Sequence, residues 1–245
     1  MNIRLAFATG LRVGNQLRND FRTVLLLLAV PVVLMALIKW VYLDQEHVFQ
    51  RVGVPLLGIF PMTSMFLVTS ITMLRERTTG TLERLLTTPL AKLDLLVGYA
   101  IAFGGTAVAQ GVIVSLVAFG PLGLETEGAP LAVVALAVLN AFLGMAMGLF
   151  VSAFAQSEFQ AVQFMPAFLL PQLLLCGLLA PRDSMARGLE ILSDYLPMTY
   201  AYDALTRVAR GEPFAGRTAF DVAILGAMGV LALAAGAATL RRRTG

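Results

Sequence analysis

The 245-residue sequence has little of what soluble folds and catalytic sites are built from. Its one cysteine, Cys176, excludes an intramolecular disulfide, and its one histidine, His47, leaves no Cys/His set for a structural zinc ion. Charged residues make up 13% of the chain against 58% hydrophobic ones, and the mean hydropathy of +0.81 argues against a water-soluble core. There is no G-x-x-x-x-G-K-[ST] loop, no glycine-rich dinucleotide turn and no HExxH pair, so the chain itself is expected to bind neither a nucleotide nor a catalytic metal and not to be an enzyme. The net charge of +3 comes from arginines at the edges of apolar runs rather than from a basic face, so no nucleic acid partner is expected.

What the sequence has is apolar runs of the length a helix needs to cross about 30 Å of hydrocarbon. They fall at 23–43, 52–74, 93–119, 129–154, 159–180 and 219–240. The expected fold is therefore all-α and integral to a membrane, one transmembrane domain over 1–245 with six spans. Before the first span, Ile3, Phe7, Leu11, Gly14, Leu17 and Phe21 recur at helical spacing among Arg4, Arg12, Arg18 and Arg22, which predicts an interfacial amphipathic helix over 1–22. The first apolar run is too long for a signal core and lacks a small-x-small cleavage site, so this segment is expected to be retained. Eleven Lys and Arg fall on the side that carries both termini and seven on the other, which places the termini in the cytoplasm. The short outer loop holding Glu125 and Glu127 has no Lys or Arg. Trp40, Tyr42, Tyr195, Tyr200 and Tyr202 suit an outer interfacial belt. In the outer connection 181–218, Pro181 and Pro197 break apolar stretches too short to cross, as in a re-entrant or interfacial helical pair.

The polar side chains within the spans are Thr63, Ser64, Thr69, Ser70, Gln110, Ser115, Asn140, Gln163 and Gln172, with Lys39 the charged one, reaching outward beside Trp40. Thr63, Ser64, Thr69, Ser70, Gln110, Asn140, Gln163 and Gln172 are candidates for lining a translocation path, while hydrogen bonding between helices is the more ordinary use of such groups. No acid is read well inside a span, which disfavours a proton- or sodium-driven carrier. Gly144 and Gly148 form a G-x-x-x-G that predicts close helix packing within the chain, and Gly104, Gly105 and Gly111 allow a bend or a close neighbour in the third run.

Between the second and third runs lies a polar island, Arg75 to Pro89, longer than a turn requires. Gly80 is placed to break the preceding helix and cap a new one that Thr81 starts, with Glu83 near its positive end and Pro89 to stop it. Leu82, Leu85 and Leu86 make one apolar stripe, which suits lipid and a groove on a partner protein equally.

The run Arg75-Glu76-Arg77-Thr78-Thr79-Gly80-Thr81-Leu82-Glu83-Arg84-Leu85-Leu86-Thr87-Thr88-Pro89 resembles the hallmark of the type-2 permease family of ABC exporters, which serve bacterial drug, polysaccharide and lipo-oligosaccharide export. A second resemblance is Leu196-Pro197-Met198-Thr199-Tyr200 followed by Asp203-Ala204-Leu205, with Thr206 standing before Arg207 where the family has arginine directly. The resemblance implies an N-terminal connecting helix, six spans, a cytoplasmic coupling helix over 75–90 and outer re-entrant helices before the last span. It implies that Arg75, Glu76, Gly80, Thr81, Leu82, Glu83, Leu85, Leu86 and Pro89 meet an ATPase, and that Pro197, Thr199, Tyr200 and Asp203 form the outer re-entrant motif. The implied partners are a dimer of ABC ATPase subunits, which would carry ATP and Mg, and a second permease subunit, identical or homologous, in a bacterial plasma membrane. The implied cargo is drugs or lipid-like molecules, with a polysaccharide or glycolipid as the alternative. A membrane assembly or signalling protein driven by an ATPase without transport stays open beside it.

Overall fold

The computed structural model describes residues 3–81 and 92–239, and among these residues five helices are long and apolar enough to cross a membrane. In chain order the helices are α1 Ile3–Asn19, α2 Phe21–Val41, α3 Glu46–Thr78, α4 Lys92–Phe119, α5 Pro130–Val151, α6 Glu158–Leu175, a 3-10 turn Arg182–Ser184, α7 Arg187–Ser193, α8 Pro197–Ala209 and α9 Arg217–Thr239. The helices that meet this criterion are α2, α3, α4, α5 and α9, and α6 runs between the same two ends of the bundle, from Glu158 beside Arg75 to Gly177 beside Tyr202. The fifth predicted run, 159–180, is helical only as the 18-residue α6, which carries Pro166 and Pro171 as well as several glutamines. Just beyond it the chain turns through Gly177 at φ +101°, a conformation that excludes continuation of the helix.

Local chemistry sets the boundaries. Asp20 separates α1 from α2 by capping: its carboxylate accepts from the Thr23 N–H (3.2 Å) and the Thr23 hydroxyl (2.6 Å), which holds that carboxyl below the usual range. Ser157 accepts from the Gln160 N–H at the start of α6, and Pro130 and Pro197 open α5 and α8, where a missing N–H is harmless.

The centre of the bundle is α3 against α5, and glycine makes the contact possible. A Cβ on Gly144 would stand 2.1 Å from the Met62 carbonyl oxygen, and one on Gly148 would stand 2.1 Å from Thr69 Oγ1. The G-x-x-x-G is thus the face along which α5 meets α3 within the chain. Thr69 uses the closeness: its hydroxyl, bonded to the Met65 carbonyl at 2.7 Å, also lies 3.2 Å from the Met145 carbonyl. Of Gly104, Gly105 and Gly111 in α4, Gly111 has the tight contact, with Val138 of α5, and α4 runs unbroken through Gly104 and Gly105.

α1 has two faces. Ala6, Thr9, Gly10, Val13 and Leu17 are buried, and Gly10 and Gly98 let α1 cross α4 closely, whereas Phe7 and Leu11 of the predicted stripe stay exposed. The 33 residues of α3 give a rod of about 50 Å, longer than the ~30 Å hydrocarbon layer, so both its ends project into polar surroundings.

Candidate functional site

At the end that the distribution of Lys and Arg predicts to face inward, hereafter the inner end, α3 stays helical through Thr78, so Arg75, Glu76 and Arg77 are its last turn, and they reach three ways. Arg75 makes a two-pronged pair with Glu158 at the start of α6, Nε to Oε1 at 2.7 Å and an Nη to Oε2 at 3.0 Å, which holds the Glu158 carboxyl below its usual range. Glu76 is buried and pairs with Arg12 of α1 at 3.4 Å, and Arg12 donates a second bond to the hydroxyl of the fully buried Tyr99 of α4 at 3.2 Å. Arg77 donates to Thr239 near the end of α9 at 3.4 Å. One helical turn thereby ties α3 to α1, α4, α6 and α9. Gly80, at φ +73°, ends that turn, and Thr81 is already helical. Leu82, Glu83, Leu85, Leu86 and Pro89 lie outside the described residues.

The polar residues within the bundle separate into two groups. Thr63 and Ser64 line a cleft of about 660 Å³ among α2, α3 and α6, walled by Val30, Leu34, Ile59 and Leu173. A second cavity, of about 280 Å³, shares Val30, Ser64 and Leu67 with it and continues to Thr72 and Arg75, so the apolar cleft extends to the inner end of α3. The other predicted path residues stand elsewhere. Thr69 and Ser70 bond to helix carbonyls, Gln110 donates to the Leu27 carbonyl of α2 at 2.7 Å, and Gln172 donates to the Phe168 carbonyl and accepts from the Met198 N–H. Gln163 is exposed on α6. Asn140 is fully buried, close to Gly58 and Leu205, and among the described residues neither its Oδ1 nor its Nδ2 has a partner.

Lys39 is not the only charge within the runs: Asp94 and Asp221, near the ends of the third and sixth, are buried at 2% and 0% exposure. They sit close enough to the ends that position in the sequence makes them look like border residues. Lys39 pairs with Glu46 at 2.6 Å and lies over the Phe49 ring, beside an exposed Trp40.

The outer motif knits the turn between α7 and α8. Pro197 starts α8, the Thr199 hydroxyl donates to the Ser193 carbonyl at 2.7 Å, and the Tyr200 hydroxyl donates to the Asp194 carbonyl at 2.6 Å. Asp203 lies 3.5 Å from Arg182 and 3.9 Å from Arg207; burial nonetheless pushes its carboxyl up, against the pull of Arg207 and Arg182. Arg207 continues the line to Glu212 and to Asp221 (2.5 Å), which also holds Arg217 at 3.3 Å. Arg182 and Asp221 were not singled out from the sequence, and Arg207 entered only as the arginine that follows Thr206 in the second resemblance. The available signal was the i,i+4 spacing of Asp203 with Arg207 and of Arg217 with Asp221.

Comparison with known proteins matches these features to one family. Residues 8–209 match the family described as ABC-2 type transporter. Over 153 residues the chain is 25% identical to the probable multidrug ABC transporter permease YbhR of Escherichia coli (strain K12), covering 62% of this chain and 42% of that protein. Over 144 residues it is 25% identical to the linearmycin resistance permease protein LnrN of Bacillus subtilis (strain 168), covering 56% and 35%. Over 138 residues it is 27% identical to ABC transporter G family member 20 of Dictyostelium discoideum, covering 56% and 19%. The chain thus spans less than half the length of these relatives. With the family match extending over most of its length, from the connecting helix through the outer motif, this multi-pass membrane chain belongs to the ABC-2 type transporter family.

Proposed function

We propose that the chain is the membrane-spanning permease subunit of an ATP-driven exporter of drugs or lipid-like amphiphiles, worked by a separate ATPase. The observation that carries this reading is the cleft among α2, α3 and α6: apolar walls, two hydroxyls from Thr63 and Ser64, and continuity to the inner end of α3. Such a lining suits a molecule that is mostly apolar with a few hydrogen-bonding groups. A second permease subunit, identical or homologous, would close the open side. ATP and Mg belong to the partner ATPase in this reading, which contacts the chain through Gly80, Thr81 and the segment holding Leu82, Glu83, Leu85, Leu86 and Pro89. That segment continues directly from the turn that ties α3 to four other helices, so a push on it changes the relative energies of inward- and outward-open arrangements. The excess of Lys and Arg on the side of both termini supports a cytoplasmic placement, in a bacterial plasma membrane.

The test is reconstitution of the chain in vesicles with the ATPase that co-purifies with it. ATP-dependent accumulation of a fluorescent amphiphile is expected, with Leu82→Asp and Glu83→Arg each abolishing accumulation while leaving the protein inserted. Unchanged ATPase association and transport in both variants would overturn the coupling assignment. ATP hydrolysis stimulated by the chain with no vectorial movement of any compound would favour an assembly or signalling role.

A further inference from the structure

The outer end of the molecule contains a cavity of about 390 Å³ between the first turns of α3, the loop from 120 to 129 and the last turns of α8. Its charged lining is Arg51, Arg210, Glu125 and Glu127. The pairing pattern around it is uneven. Arg182, Arg187, Arg207 and Arg217 on the same end each have a carboxylate within ion-pair distance. Among the described residues Arg51 and Arg210 have none, and neither Glu125 nor Glu127 has a cation, although all four border one cavity. Two positive and two negative side chains, all exposed, therefore border a shared space with no ion pair among them.

The frame that holds them is fixed. Gln50 grips the loop at two points, its Nε2 donating to the Gly123 carbonyl at 3.0 Å and its Oε1 accepting from the Glu125 N–H at 2.7 Å. On the far side the Glu127 N–H and the Thr126 hydroxyl both bond to the Ala209 carbonyl, at 2.9 and 3.1 Å. Leu124 is buried against Gly53, where a Cβ would stand 2.6 Å from its side chain, and Gly128 lies so close to the Val208 carbonyl that no larger residue fits. The two glutamates thus project from a backbone stapled to both helices. Tyr202 adds an aromatic ring to the wall, and Thr206, also in the wall, has a hydroxyl shielded from solvent and without a partner among the described residues.

We infer that this cavity binds the zwitterionic head of an amphiphile, an anionic phosphoryl or carboxylate group held by Arg51 and Arg210 with an ammonium group held by Glu125, Glu127 and the Tyr202 ring. Guanidinium groups match the geometry of such an oxyanion, and carboxylates beside an aromatic face match an ammonium. A ligand of one charge sign would meet two like charges in the same cavity, so the lining selects against it. This inference goes beyond the exporter reading; only the naming of this end as outer rests on the orientation used in that reading.

The experiment is isothermal titration calorimetry of the purified full chain in dodecyl maltoside with three probes: dioctanoyl phosphatidylethanolamine, dioctanoyl phosphatidylglycerol and phosphorylethanolamine. The zwitterionic lipid is expected to bind roughly tenfold tighter than the anionic one. Arg51→Gln with Arg210→Gln should abolish binding of both lipids, and Glu125→Gln with Glu127→Gln should erase the preference between them. Binding of phosphorylethanolamine equal to that of its lipid would identify a water-soluble zwitterion as the ligand, and binding of the lipid alone would identify a membrane head group; either supports the site. Absence of heat with all probes, equal affinity of the wild type for both lipids, or affinities that both double variants leave within about twofold would overturn it. Because the substituted side chains other than their shared frame are solvent-facing, monodispersity on gel filtration verifies the fold of each variant. No ATPase or transport enters this readout, so its failure leaves the exporter reading standing, and a failed export assay leaves a positive titration standing.

Discussion

The two ends of the molecule both hold buried carboxylates, but they hold them differently. At the inner end Glu76 has, among the described residues, a single cation, Arg12, shared with the Tyr99 hydroxyl, while its neighbours Arg75 and Arg77 reach away to other helices. At the outer end Asp221 has two, Arg207 and Arg217, and Arg207 also serves Asp203 and Glu212. The inner arrangement is a set of independent spokes from one helical turn; the outer one is a chain of alternating charges in which each loss is partly covered by a neighbour. An uncompensated buried charge is far more costly than a weakened pair, so the inner end should be brittle to single substitutions and the outer end tolerant.

Arg12→Ala strands Glu76 and should cost about 3 kcal/mol of stability, measured by thermal unfolding in detergent, with Glu76→Gln added to it recovering most of the loss. Gly144→Ala strains the α3–α5 contact common to both ends and should cost about 2 kcal/mol, because its Cβ meets the Met62 backbone and the helices must part. That variant separates a global loosening from an effect of one end. Arg207→Ala leaves Arg217 on Asp221 and should cost only about 1.5 kcal/mol, whereas Arg207→Ala with Arg217→Ala should cost more than the sum of the two single changes. A single Arg207→Ala as damaging as Arg12→Ala would remove the contrast.

The smallest effect is in pH, and it runs in opposite directions at the two ends. The Glu158 carboxyl is held low by its Arg75 hydrogen bonds, so the stability it contributes is present above its unfolded pKa and lost as pH falls through the lowered value. Being an exposed pair, it is worth about 0.5 kcal/mol or less, read as the vanishing difference between wild type and Glu158→Gln on acidification. The Asp203 carboxyl is pushed up by burial, so its contribution is fully present below the unfolded pKa and lost as pH rises through the raised value. Relative to Asp203→Asn, the wild type should therefore gain stability as the pH is lowered.

Much of the architecture was legible because lipid imposes simple rules: runs of about 20 apolar residues mark crossings, and Gly144 with Gly148 marks a close helix pair. The outer helical pair was announced by Pro181 and Pro197. The shortened α6 was not, because its apolar run continues through a glycine whose left-handed conformation only the fold reveals. The second face of α1 escaped notice for a related reason. Ala6, Thr9 and Gly10 pack by being small, and a pattern of hydrophobicity does not register smallness. Among the polar residues, a sequence shows which side chains need partners but not where the partners stand, so Thr63 and Ser64 on the cleft could not be told from Gln110 and Gln172 in the packing. Asp221 read as a border residue because burial near a helix end depends on what the outer helices fold over it.

The length of α3 has a mechanical consequence. Gln50 and Arg51 lie on its first turns and Arg75 to Arg77 on its last, so the outer cavity and the inner ties sit at opposite ends of one continuous helix. With a half-length of about 25 Å, a tilt of only about 5° around the glycine-lined midpoint would swing each end by about 2 Å, in opposite directions. That is enough to break a hydrogen bond at either end, and it makes the glycine contact with α5 a fulcrum.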